Sequence, residues 1–115
     1  MIQPGEIYMA DFAEAGPHPV VVLSREELNR GRYTLVVVCT SARFAVRNQL
    51  PNCVPFRAGD FGFTTDCVAQ CENLLSIDLA QIDVAAGPLG ALDEIAFRDV
   101  IKAIGYVMGS DCEPV

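Results

Sequence analysis

The stretch Tyr33-Thr34-Leu35-Val36-Val37-Val38-Cys39, YTLVVVC, constrains this chain more than any other. Its consecutive β-branched residues favour a pleated backbone. A short apolar run of this length reads as a deeply buried strand, and it leads directly into Thr40, Ser41, Ala42 and Arg43. Residues 20–23, VVVL, form a second such run. In residues 5–11, GEIYMAD, Ile7 and Met9 alternate with Glu6, Tyr8 and Ala10, as a half-buried strand requires. Residues 48–56 read as a strand interrupted by Pro51 and Pro55, which places it at an edge or on a bulge. Residues 65–72, TDCVAQCE, read as a further strand, followed by another segment at 74–78.

The connections carry turn chemistry. Residues 12–19 are rich in Ala, Gly and Pro and read as a loop, in which Pro19 holds His18 extended. Ser24 with Glu27 three residues on predicts a capping box for a short helical turn that Gly31 ends. Residues 59–62 form a turn, and Gly87, Pro88 and Gly90 mark a final loop. Asp93 or Leu92 opens a closing helix, whose Ile95, Val100, Ile101, Ile104, Val107 and Met108 predict one apolar face before Gly109 stops it. Five or six short strands and one C-terminal helix predict a mainly β, α+β fold. The expected form is a small curled or barrel-like antiparallel sheet with the helix packed on it.

At 115 residues, 51% of them hydrophobic, the chain is expected to form a single domain over residues 1–115. Pro4, Gly5 and Glu6 interrupt any leader-like run, and no apolar run approaches the ~20 residues of a membrane span. The expected address is the cytoplasm, with no membrane partner. The five cysteines are an odd number, which argues against a disulfide framework. Cys67-x-x-x-Cys71 lacks zinc-knuckle spacing, no second pair follows, and the only histidine, His18, is distant in sequence. The cysteines therefore read as small buried hydrophobes, and neither a metal nor another cofactor is expected.

The net charge of −7 argues against a general nucleic-acid binder, but it is unevenly spread. Residues 25–57 hold six arginines against two glutamates, while residues 58–115 carry ten acids against Arg98 and Lys102. A basic face built from the middle third stays available; the alternative is a set of solvated arginines with no common target.

Three local features could carry chemistry: His18 before VVVLS, the strand-end pair Thr40-Ser41 with Arg43 close by, and Gln70-Cys71-Glu72. Histidine, hydroxyl, arginine and carboxylate are the parts needed to cleave RNA without a metal. A base takes the ribose 2′-hydroxyl proton, an acid protonates the leaving oxygen, and a cation or hydroxyl steadies the phosphate. Taken singly, each residue also has an ordinary explanation. Thr40 and Ser41 can cap a strand, Arg43 and Arg47 can guard an edge, Glu72 can face solvent, and His18 can be an inert loop residue.

The succession GEIYMADF, HPVVVLS, LNRG, LVVVCTS, GFTTDCV and LLSID, closed by an amphipathic helix, resembles the MazF/PemK (Kid-like) family of type II toxin–antitoxin toxins. The resemblance implies an SH3-like small β-barrel of the MazF/PemK/CcdB type with a C-terminal α-helix, assembled as a homodimer. It also implies a metal-independent endoribonuclease, an mRNA interferase that cleaves single-stranded RNA. The implied partner is a small, mostly acidic cognate antitoxin that blocks the RNA groove. The family's catalytic threonine matches Thr40, and His18 stands where the family has an arginine. In the Kid branch an arginine and an aspartate of the later strand correspond to Gln70 and Glu72. His18, Thr40 and Glu72 are thus the expected catalytic residues, with Ser41, Arg43, Arg47 and Gln70 expected to bind substrate. Arginine is a fixed cation with a planar fork, whereas histidine is the better proton carrier near neutrality. The loop before His18 is shorter than the family's Gly-x-Glu-Gln loop. The competing reading is a member that kept the fold, lost the chemistry and serves as a protein-binding or dimerisation module. No motif supports the gyrase-poisoning toxins of the same fold.

Overall fold

In the computed structural model, which describes residues 1–110, the valine-rich segment forms a central strand. Six strands make one antiparallel sheet: β1 (Glu6–Asp11), β2 (Pro17–Val22), β3 (Tyr33–Thr40), β4 (Cys53–Phe56), β5 (Cys67–Asp78) and β6 (Gly90–Ala91). Their order across the sheet is β4-β5-β3-β2-β1-β6. Helical turns α1 (Glu26–Asn29) and α2 (Phe44–Arg47) interrupt the connections, and α3 (Glu94–Val107) follows the last strand. The sheet curls far enough for Ile82, just beyond β5, to bridge Ala10 of β1. Asp83 N–H donates to the Met9 carbonyl beside it. The result is a half-barrel with a C-terminal helix.

Both sides of the sheet are covered. On one, Ile7, Val21, Val37, Cys39, Ala69 and Cys71 pack with Ala96, Val100 and Ala103 of α3. On the other, Tyr8, Ala10, Val20, Val22, Val36, Val38 and Ile77 close a second cluster inside the curl. Successive strand residues point to opposite faces, so a valine triplet supplies both clusters at once. This corrects the half-buried reading of the first strand: Ile7, Tyr8 and Ala10 are all buried.

Several local readings change. The extended segment begins at Pro17, so His18 is a strand residue opposite Ala10 rather than part of a loop; a short 3-10 turn (Ala13–Ala15) fills the connection. Residues 48–52, the start of the expected edge strand, are turns that follow α2, and β4 keeps only the four residues around Pro55. The two segments expected at 65–72 and 74–78 are one continuous strand, β5. Opposite it, the register on β3 shifts between Val37, which faces Leu74, and Val38, which faces Gln70. Residues 71–73 are therefore a bulge in β5. The face of α3 also differs. Its buried positions are Ala96, Val100 and Ala103, with Ile104 partly covered, while Ile95 is 73% exposed and Ile101 48%. Small side chains let the helix sit close to the sheet, and the larger ones point away. Asp93 does cap α3, accepting from Ala96 N–H at 2.7 Å.

Ser24 caps nothing. The residue before α1 is Arg25, with no side-chain cap. Ser24 joins a polar knot instead. Asn29, buried, donates to the Ile2 and Ser24 carbonyls, and its Oδ1 accepts from Ser24 and from the buried Thr34 hydroxyl at 2.7 Å. Both amide protons and both carbonyl lone pairs of this side chain are used, which is what burial of a polar side chain demands. The knot ties the N-terminus, α1 and β3 together. Two glycines make a second tie. A Cβ on Gly62 would stand 2.0 Å from the Leu89 carbonyl oxygen, and one on Gly90 would stand 1.9 Å from that of Phe61. Two backbones cross in contact there, and Gly62 also takes a φ of 92°.

Replacing Asn29 with Ala should leave the two hydroxyls and two carbonyls of the knot without their partner. We expect a loss of about 3 kcal/mol in urea unfolding with little change in slope; a loss below about 0.5 kcal/mol would show that the knot is not structural.

Candidate functional site

Strand parity sorts the expected site residues. Val20 pairs with Val38, and Val38 with Gln70. His18, two residues before Val20, and Thr40, two after Val38, share their face with Gln70, inside the curl. These three line one cavity of about 190 Å³, together with Phe12, Asn73 and Leu75. Ser41 has the opposite parity. It opens onto a second cavity of about 310 Å³ with Cys39, Phe63, Thr64, Thr65 and Cys67, which His18 also borders. The Thr40-Ser41 pair is thus split between two clefts, with His18 on the rim of both. A larger cavity of about 410 Å³ lies between β4 and α3, lined by Pro51, Val54, Lys102 and Tyr106 among others, and contains no expected site residue.

His18 is half-buried, and both ring nitrogens face carbonyl oxygens: Nδ1 lies 3.3 Å from Cys39 O and Nε2 3.1 Å from Ala15 O. A ring protonated on both nitrogens can donate to both carbonyls, while a neutral ring can donate to only one. The Phe12 ring tilts against the imidazole with centroids 6.2 Å apart. The Thr40 hydroxyl accepts from Ala42 N–H at 3.2 Å, and the Ala42 carbonyl accepts from Arg47. That local turn leaves the hydroxyl proton of Thr40 free to be given elsewhere.

Glu72 is joined to the cavity through Gln70, whose Nε2 donates to it at 3.2 Å; Asn52 donates to the other carboxylate oxygen at 2.8 Å. Partial desolvation pushes the Glu72 carboxyl up. Its own backbone N–H, Asn52, Gln70 and the nearby Arg47 charge together outweigh this and hold it below the usual glutamate value. Glu72 is therefore a carboxylate at neutral pH, with both oxygens accepting side-chain hydrogen bonds. Among the described residues, Arg30, Arg32 and Arg57 are paired with Glu26, Asp78 and Asp66, while Arg25, Arg43 and Arg47 form no ion pair. Arg47 is the expected substrate-binding arginine that the structure brings to Glu72. Arg43 is exposed in a left-handed conformation (φ 55°) at the start of α2, and it lines neither cavity.

Two residues that sequence reasoning passed over belong to the cavity. Phe12 lies in the expected loop, and Asn73 in the gap between two expected strands. A poor strand former between two apolar stretches is the signal that marks Asn73 as a bulge position. Among the described residues no group of three or more His, Cys, Asp and Glu side chains is placed to hold a metal. Cys39, Cys53, Cys67 and Cys71 are buried and free, as small hydrophobes; Cys112 lies outside the described residues. No described helix is long and apolar enough to cross a membrane.

This curled sheet, with its helix and its cleft at the β2–β3–β5 strands, defines a small half-barrel α+β fold. A model of the PemK-like, MazF-like toxins of type II toxin-antitoxin systems matches residues 3–108, and the chain belongs to that family. Among solved structures it is similar to an endoribonuclease in complex with its cognate antitoxin from Mycobacterial species. That match has a TM-score of 0.78 and 18% identity, covering 99% of this chain and 100% of the other. It is also similar to the Mycobacterium tuberculosis toxin MazF-mt6, with a TM-score of 0.74 and 21% identity over 90% and 95% of the two chains. A MazE-MazF structure from Deinococcus radiodurans matches with a TM-score of 0.71 and 17% identity over 94% and 95%. No curated protein sequence matches the chain.

The environment of Cys71 gives a check on this arrangement. Desolvation, with the neighbouring Cys53 and Glu72 adding to it, pushes the Cys71 thiol up to about 12. Only the thiolate is alkylated. Peptide mapping after iodoacetamide treatment at pH 8 should find Cys71 unmodified in the folded protein and modified once urea is present. Equal labelling in both states would contradict the packing of the bulge against α3.

Proposed function

We propose that this protein is the toxin of a type II toxin–antitoxin pair and acts as a metal-independent endoribonuclease on single-stranded RNA. The observation that carries the reading is the meeting of His18, Thr40 and Gln70 around one cavity, with the Glu72 carboxylate held against Gln70. These are the groups that transesterification at a ribose phosphate uses. In the proposed step the 2′-oxygen attacks phosphorus, a new 2′-O–P bond forms and the P–O5′ bond breaks. Glu72, ionised, takes up the 2′-hydroxyl proton. His18, freed from the Ala15 carbonyl, gives a proton to the departing 5′-oxygen. The Thr40 hydroxyl and the Gln70 amide donate to the phosphate oxygens as charge builds there. Arg47 and Arg43 hold the flanking backbone, and Ser41 serves the neighbouring cleft. The acidic total charge makes binding depend on these few local cations rather than on the whole surface.

The similar Mycobacterial and Deinococcus structures contain a cognate antitoxin or MazE. On that analogy, this chain pairs with an antitoxin of its own; the homodimer and the cytoplasmic address rest on the family resemblance alone.

Purified protein should cleave a varied single-stranded RNA pool with EDTA present. His18→Ala and Thr40→Ala should each abolish cleavage, and Glu72→Gln should slow it by about 10²–10⁴-fold. Because the Glu72 carboxyl is held below its ordinary value, it keeps its charge as pH falls through the usual glutamate range. The acid-side loss of rate should therefore begin only below that range. A folded protein that leaves the whole pool intact would favour the protein-binding module instead.

A further inference from the structure

The cavity beside His18 has more apparatus than phosphate chemistry needs. Its volume of about 190 Å³ falls below the roughly 300–1,000 Å³ of pockets that enclose a whole small-molecule ligand, so it suits one group of a longer ligand. The Phe12 ring and the Leu75 side chain supply apolar walls, and the amides of Gln70 and Asn73 supply polar ones. Neighbouring amides are engaged, since Asn52 and Gln70 both donate to Glu72. The half-buried Asn73 amide meets no hydrogen-bond partner among the described residues. It reaches this position through the bulge: one step along β3, from Val37 to Val38, corresponds to four along β5, from Leu74 back to Gln70. A regular pairing would have no such surplus residues. Bulges commonly serve to re-aim a side chain beside a site.

We infer that this cavity receives a single unstacked nucleobase of the RNA and that Asn73 reads it, making Asn73 a specificity-determining residue. The inference rests on the ribonuclease reading above and adds to it where the sequence preference resides. Apolar walls including an aromatic ring suit a base taken out of its stack. A carboxamide presents a donor and an acceptor side by side, the pattern that matches a base edge in two places. Gln70 joins the two functions. It borders the same cavity as Asn73 while its amide is tied to Glu72, so a base seated against Asn73 sets its own phosphate beside His18 and Thr40.

The test is the distribution of cut sites in a randomised RNA pool, read by sequencing the new ends for the unaltered protein, Asn73→Ala and Asn73→Asp. Thermal melts establish that each variant is folded. With Asn73→Ala, the preference at one position next to the cut should relax, and cutting of the preferred sequence should fall by about tenfold or more relative to other sequences. Asn73→Asp keeps the shape and removes the donor, so it should change which base is preferred at that same position. A merely structural role would lower all cuts together and leave the profile unaltered. If both variants keep the unaltered protein's preference at every position, the assignment of Asn73 is overturned while the ribonuclease reading stands. If the unaltered protein cuts no RNA, both are overturned.

Discussion

The fold hangs on the pairing of β3 with its two neighbours. β3 is hydrogen-bonded to β2 on one side and β5 on the other, and its Val36, Val37 and Val38 are buried on both faces. One strand thereby supplies the helix-covered core and the core inside the curl. Burying a valine side chain contributes about 1.5–3 kcal/mol, so neither cluster can be weakened without loosening the other. The same strand ends in Thr40, whose place in the cleft is fixed by the register that buries the valines. A one-residue slip would send Thr40 to the opposite face and leave every valine facing the wrong core. Stability and the position of the candidate site are thus set by one ladder of hydrogen bonds.

The parts of this fold that could be read from the sequence were those governed by local repetition. The strands at β1 to β3, the edge position of the Pro55 segment and the aspartate that opens α3 all follow from period, proline chemistry and capping. What could not be read depends on contacts between distant residues. Ser24 looks like a cap because Glu27 stands at the right spacing, but its hydroxyl is claimed by Asn29 and Thr34, which only the tertiary fold brings close. The expected face of α3 holds only in part: Val100 is buried and Ile104 packs on the core, while Ile95, Ile101, Val107 and Met108 are exposed. The sheet instead selects the small Ala96 and Ala103, which permit a close approach. The continuity of β5 was hidden by its own bulge, since residues 71–73 break the pattern without breaking the strand.

The candidate site shows the same division. His18, Thr40 and Gln70 were each singled out in the sequence, but only strand parity explains why they share a cleft that Ser41 does not enter. At the position where the resemblance implies an arginine, this chain has an imidazole whose two nitrogens face carbonyl oxygens. Cationic support in this neighbourhood comes from Arg47, anchored to the Ala42 carbonyl and close enough to Glu72 to favour its charge. The candidate site is therefore distributed over three strands and a helical turn rather than concentrated in one motif, which is why no single stretch of sequence announces it.

The outer edge of β4 bears on how this protein can meet another chain. Asn52 and its alternating neighbours bond inward to β5, as when the Asn52 carbonyl accepts from Cys71 N–H. The outward-facing positions are then Cys53 and Pro55. The Cys53 N–H is already given to the Leu50 carbonyl at 3.1 Å, and a proline has no N–H to give. Between them this edge offers no amide donor to an incoming strand. A partner strand would find only carbonyl acceptors here and could not form a full main-chain ladder, so side chains, against a face or in a groove, have to supply the rest of its hold. The β4 edge resists imitation by extended peptides of arbitrary sequence, and recognition there is left to chemistry that depends on which residues the partner carries.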